Sequence, residues 1–253
     1  MMAQDANRVI VAGCGPVGAV MALALIKKGI SVTLIEQLPD AAEDQRAATI
    51  HPPTVEMLVG LGLKTEMFSE LPSGGMPAPL FHFRDRVTSE LVAEFDISLL
   101  EGEVPYPYVV QWEQYKLVHA ALPHIKASGM GEVRFSTRLV GLTQTSDGVE
   151  ATVINASGEM EKLSGKYLIG ADGGSSTVRR LAEIAFVGFT WPERSSRSVL
   201  ASTSALPAGA IARAITSPIP TNGSICSKSK VADRRVSGAA FSRCRRRRPM
   251  SKR

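Results

Sequence analysis

"RVIVAGCGPVGAVMALALIKKGISVTLIEQ", residues 8–37, decides how the rest of the chain is understood. Residues 8–12 have the β-branched, apolar character of a buried strand. Gly13, Gly15 and Gly18 then set a G-x-G-x-x-G turn leading into an apolar helix over about residues 16–28. Gly29 ends that helix, and "SVTLIE" supplies a second strand. The spacing predicts a βαβ unit with its glycines at the strand-to-helix corner. In such a corner Gly13 makes the tight turn, Gly15 lets a pyrophosphate reach the backbone, and Gly18 lets the helix pack closely on the strand. Free N–H groups and the dipole at the helix start favour a bound phosphate. Glu36, 18 residues beyond Gly18, ends the second strand where a ribose would present its hydroxyls. An acid there disfavours a ribose 2′-phosphate, so the nucleotide is FAD or NAD rather than NADP. A glycine triplet alone is a weak signal, because tight turns use glycine for purely structural reasons. The flanking strand, helix and acid give it its context.

The 253 residues suffice for one large domain or two modest ones. The net charge of +5 is an average of two unlike parts. From Ser195 onward there are 13 Lys/Arg and one acid, Asp233, whereas the first 194 residues carry 16 basic and 23 acidic groups. A mildly acidic body is therefore joined to a strongly basic tail. Cys14, Cys226 and Cys244 give neither a disulfide framework nor a metal-ligand spacing, and for Cys14 the backbone matters more than the thiol. His119 and His124, five apart, fit one helical face poorly, so no metal site is expected. The apolar run 17–26 stops at Lys27 and Lys28, too short to span a bilayer, and a cytoplasmic enzyme is the expectation.

Beyond Glu36 the chain does not continue as a simple dehydrogenase. A polar loop containing Arg46 leads to a short helix at about 53–60. Arg46 is either a solvated loop charge or a cation reaching back to the cofactor pyrophosphate. "PLFHFRDRVTSELVAEFDIS" is strand-like, and Phe81, Phe83 and Phe95 either line an aromatic pocket or simply pack the strands. "VVQWEQYKLVHAALPHIKASG" is expected to be an amphipathic helix opening at Gln111 and carrying Leu117, Ala120 and Leu122. Asp147-Gly148 followed by the alternating "VEATVI" indicates a hairpin or meander. Another buried strand, "YLIGADGG", passes through "SSTVRRL" into a helix.

Taken together, the glycine turn with Glu36, the "QRA" around Arg46, Gln111 and "GADGGSSTVRR" resemble the FAD-dependent aromatic-ring hydroxylases related to para-hydroxybenzoate and hydroxyphenylpropionate hydroxylases. The resemblance covers about residues 8–194 and three ordered motifs. It implies an α/β fold, mixed with α+β character. In it a Rossmann-like FAD-binding domain (1–71 and 108–194) is interrupted by substrate-covering strands (72–107). The implied cofactor-binding residues are Gly13, Gly15, Pro16, Gly18, Glu36, Gln37, Arg46, Gln111, Asp172, Gly173 and Arg179. The Asp-Gly segment would organise both the FAD and the approach of the nicotinamide donor. The implied chemistry is hydride transfer from NADH or NADPH to FAD, reaction with O2 to a flavin C4a-hydroperoxide, and hydroxylation of a small, usually phenolic, aromatic substrate. No protein nucleophile is required, and no catalytic side chain is assigned.

Relatives implied by this resemblance are longer and carry a second Gly-Asp motif, which is missing after residue 194. Ser, Ala and Arg make up 31 of the last 59 residues, without apolar periodicity. The chain is thus expected to be the N-terminal portion of such an enzyme, with 195–253 a frameshifted or irregular tail and the activity of the chain as written in question. Two other readings stay open: an NAD-dependent Rossmann oxidoreductase, and a nucleic-acid-binding protein acting through the basic tail. Arg245–Arg248 lack interleaved aromatics, which makes nucleic acid an unfavoured partner.

Overall fold

A computed structural model describes residues 7–43, 47–85, 88 and 90–189, and the backbone of two short strands at 214–216 and 225–226. The βαβ unit forms as its sequence dictates. β1 (Val9–Ala12) and β2 (Val32–Ile35) are buried at every position, and α1 (Pro16–Lys27) joins them. Pro16 opens the helix, where its missing N–H is no loss. Gly29, at φ 76°, closes it.

The first sheet has the order β12-β1-β2-β8, with β8 at Gly131–Arg134 and β12 at Tyr167–Gly170, all in parallel. Continuous apolar strands are what a parallel sheet covered on both faces requires. On one face α1 packs against α4 (Gln114–Ala127), forming the larger core with Leu23, Leu34, Val118 and Ile125. On the other, Ile10 and Ile35 meet Leu139, Ala151 and Val153. Those three belong to an antiparallel meander of β9 (Arg138–Gln144), β10 (Val149–Ile154) and β11 (Met160–Gly165). The β9–β10 hairpin turns at Asp147-Gly148, as its sequence indicates. α5 (Thr177–Leu181) follows the Asp-Gly segment.

Between β2 and α4 the chain leaves the parallel sheet. β3 (Thr49–Ile50) and β4 (Met76–Ala78) flank β7 (Val109–Gln111), with α2 (Pro52–Gly60) and α3 (Lys64–Met67) between β3 and β4. β5 (Leu80–Arg84) and β6 (Leu91–Asp96) pair as an antiparallel hairpin. The backbone of β13 (Ala214–Thr216) lies parallel to β5 and antiparallel to β14 (Ile225–Cys226). The remainder of the expected tail lies outside the described residues.

One expectation needs correcting here. Gln111 does not open a helix: it ends β7, pairing with Thr49 and Met76, and α4 begins at Gln114. The reason is tertiary. The Trp112 and Gln114 N–H groups donate to the Ala48 and Ala47 carbonyls at 2.6 and 2.9 Å, which holds the corner extended until Glu113. That corner is dense. The Trp112 indole N–H donates to the Ser73 carbonyl at 2.7 Å. Lys116 Nζ lies 2.7 Å from both the Pro72 carbonyl and Glu113 Oε2. Glu113 and Lys116 are 3% and 8% exposed, so this ion pair is buried and hydrogen-bonded. It ties the start of α4 to the loop that leads into β4.

Candidate functional site

A cavity of about 370 Å³ opens over the carboxyl ends of β1 and β2, where open α/β sheets place their ligands. Gly13, Gly15, Pro16, Glu36, Gln37, Asp172 and Gly173, all singled out from the sequence, line it together. The three glycines of the turn have different reasons to be glycine. Gly13 has φ 103°, and a Cβ there would lie 2.5 Å from the Ala171 carbonyl oxygen. A Cβ on Gly18 would lie 1.8 Å from the Gly13 carbonyl oxygen. Gly15 differs from both. Its backbone (φ −73°, ψ −178°) suits any residue, and a Cβ would meet nothing within 4 Å. The protein itself makes no demand for glycine there. The empty space belongs to the cavity, beside the first N–H groups of α1.

Glu36 is fixed rather than free. Its two oxygens accept from the Cys14 N–H at 2.8 Å and the Leu38 N–H at 3.0 Å, linking the glycine turn to the end of β2. Cys14 serves through this N–H. Burial first, and then the Glu36 charge, push its thiol up to about 12, so it stays protonated and inert at neutral pH.

Asp172 organises the second loop. It accepts from the Ser176 hydroxyl at 2.5 Å and from the Thr177 and Val178 N–H groups at 2.6 and 3.0 Å, satisfying the start of α5. Burial alone would raise the carboxyl. The hydroxyl and backbone donors outweigh it and hold Asp172 below the usual carboxylate range.

Not every expected residue lines this cavity. Gly18 sits behind it as a packing contact. Arg179 turns away: it donates to the Gly174 carbonyl at 2.9 Å, its guanidinium lies 4.5 Å from the Phe186 ring centre, and it borders a separate hollow beside β12. Gln111 is 4% exposed in β7, its Oε1 accepting from Thr49 at 3.2 Å while its Nε2 is buried without a partner. Arg46 lies outside the described residues. Phe81 stacks on His51 and Phe83 meets Phe95 edge-on, at 6.5 and 5.4 Å between centres, and none of the three phenylalanines lines the cavity. Conversely, Gln114, Tyr115, Thr137, Arg138 and Leu139 do line it and were not anticipated. Gln114 and Tyr115 come from the start of α4, and only the pairing of β8 with β2, which brings the β8–β9 turn beside Glu36, reveals Thr137, Arg138 and Leu139.

The family model described as "FAD binding domain" matches residues 6–250. The chain belongs to this FAD-binding domain family. The match runs past Arg194, beyond the point at which the ordered motifs give out. Among curated proteins, the chain is 35% identical over 189 residues to 6-hydroxy-3-succinoylpyridine 3-monooxygenase of Pseudomonas putida, covering 74% of this chain and 47% of that protein. It is 32% identical over 187 residues to para-nitrophenol 4-monooxygenase of a Pseudomonas species, covering 74% and 45%. The chain thus spans less than half the length of these two relatives. The solved p-nitrophenol 4-monooxygenase of Pseudomonas putida DLL-E4 is similar at a TM-score of 0.69 and 28% identity, over 74% of this chain and 47% of that one. The flavin-dependent monooxygenase PieE, solved with FAD and substrate, is similar at 0.64 and 25%, over 74% and 34%. For an FAD-binding chain, the open position at Gly15 is the feature of these residues that fits the cofactor. Among the described residues no helix is long and apolar enough to cross a membrane.

Proposed function

We propose that this chain holds FAD in the cavity over the glycine turn and forms the cofactor-binding part of a monooxygenase that uses NADH or NADPH and O2 to hydroxylate a small phenolic substrate. The observation that carries the reading is Gly15, whose side-chain space is open and whose backbone is unstrained. A ligand that must approach the backbone accounts for a glycine there. The two monooxygenase relatives reported above act, by their names, on hydroxylated or nitrated aromatic rings, which supports a phenolic substrate class.

Gly13, Gly15 and Pro16 receive the pyrophosphate at the start of α1, and Gly18 keeps that helix start against the turn. Glu36 and Gln37 stand at the ribose. Arg46 and Gln111 are the further residues assigned to support of the cofactor, by the resemblance of their motifs. Asp172 and Gly173 form the opposite wall, with Arg179 bracing their loop through the Gly174 carbonyl rather than touching the ligand. When bound, FAD supplies hydride acceptance and O2 activation, and the protein's part is to orient it and exclude water. The test is to purify the 253-residue chain and titrate it with FAD, then follow NADH and NADPH oxidation in air with a panel of phenols. The expected result is stoichiometric flavin on this chain, whether or not the cofactor-binding part alone goes on to hydroxylate the phenols. A colourless protein that takes NAD in place of FAD would overturn the reading.

A further inference from the structure

Arg138 is an arginine of unusual circumstance. Each of the other arginines whose side chain is described has an assigned partner: Arg8 with Glu132, Arg134 with Glu132 and Glu161, Arg179 with Gly174, and Arg180 with Thr177. Arg138 is exposed on the cavity wall, and its guanidinium has no hydrogen-bond or ion-pair partner among the described residues. The cavity's other charged lining groups, Glu36 and Asp172, already accept from backbone N–H groups. Arg138 is therefore the charged group on this wall whose donors and planar face remain uncommitted.

Its position is well defined. The Ser136 N–H donates to the Leu38 carbonyl and the Thr137 N–H to the Glu36 carbonyl, both at 2.8 Å. Ser136 takes up φ 49°, a left-handed conformation unusual for a residue with a side chain. These bonds pin the turn before β9 to the end of β2, on the Glu36 side of the cavity and away from the α1 start that receives phosphate. Leu38 and Leu139 add apolar wall beside it. A planar cation next to apolar surface, past the ribose acid, suits the face of a purine.

We infer that Arg138 is a cofactor-binding residue that stacks its guanidinium on the adenine of the bound FAD. The inference rests on the cavity being the FAD cradle. The test measures FAD dissociation constants for the wild-type chain, Arg138→Ala and Arg138→Lys, with thermal unfolding of each apoprotein as a control for folding. Stacking predicts roughly 3- to 30-fold weaker binding for Arg138→Ala. Arg138→Lys, which keeps the charge but loses the plane, should be weakened nearly as much, with unchanged unfolding temperatures. Arg138→Ala binding FAD like wild type, or full recovery with Lys, would overturn the role. Failure of the wild type itself to bind FAD would instead remove the cradle on which the role depends.

Discussion

The parallel sheet and the β5–β6 hairpin are both apolar in sequence and very different in burial. All eight residues of β1 and β2 are buried, whereas in β6 Leu91, Val92 and Phe95 are 48%, 63% and 57% exposed. The difference comes from position rather than composition. β1 and β2 are the inner strands of their sheet, covered by α1 and α4 on one face and by the β9–β11 meander on the other. Each fully buried Ile, Leu or Val contributes about 1.5–3 kcal/mol in such a place. β6 has no comparable cover among the described residues, although His82 of its partner β5 is buried. The cavity over the glycine turn is built on the first region, and this separation is what mutations can break or sharpen.

The largest effect is expected where the start of α4 meets the loop that leads into β4. Lys116→Ala leaves Glu113 buried without its partner and should cost about 3 kcal/mol or more in urea unfolding. Lys116→Met together with Glu113→Leu should recover much of that loss, because a buried pair replaced by apolar side chains often costs little. Next comes Gly18→Ala, whose Cβ overlaps the Gly13 carbonyl, with an expected loss of about 2–3 kcal/mol and weaker FAD binding in parallel. Asp172→Asn should cost about 1 kcal/mol at neutral pH through the start of α5. The Asp172 carboxyl is held low in the folded state, so its contribution is fully present above the unfolded value of about 4. It is lost as the pH falls through the lower, folded value, and the wild-type and Asn proteins should converge in stability there. The smallest effect belongs to the hairpin: Val92→Thr should change stability by less than about 0.5 kcal/mol and leave the FAD affinity untouched.

Legibility in the sequence follows the same division. Gly13, Gly18 and the Asp-Gly loop were readable because local backbone geometry and close approach dictate their residue types, and Gly15 and Glu36 because of their spacing from them. The start of α4 was not, because the bonds from Trp112 and Gln114 to Ala48 and Ala47 override an apolar pattern that also fits a helix. Arg138 and Thr137 reach the cavity only through the parallel pairing of β8 with β2, two segments about a hundred residues apart. Arg179 shows the converse. Its place in a recognisable motif identifies its neighbourhood but not its direction, which is set by Gly174 and Phe186.

The central claim, that the cavity over Gly13–Gly18 receives FAD, is tested most directly by Gly15→Ala. The side chain has room and its backbone is unstrained, so the variant should unfold within about 1 kcal/mol of wild type. Its FAD dissociation constant should rise at least roughly tenfold, the counterpart of about 1.4 kcal/mol of lost contact. A variant that folds normally and binds FAD as tightly as wild type would contradict the account.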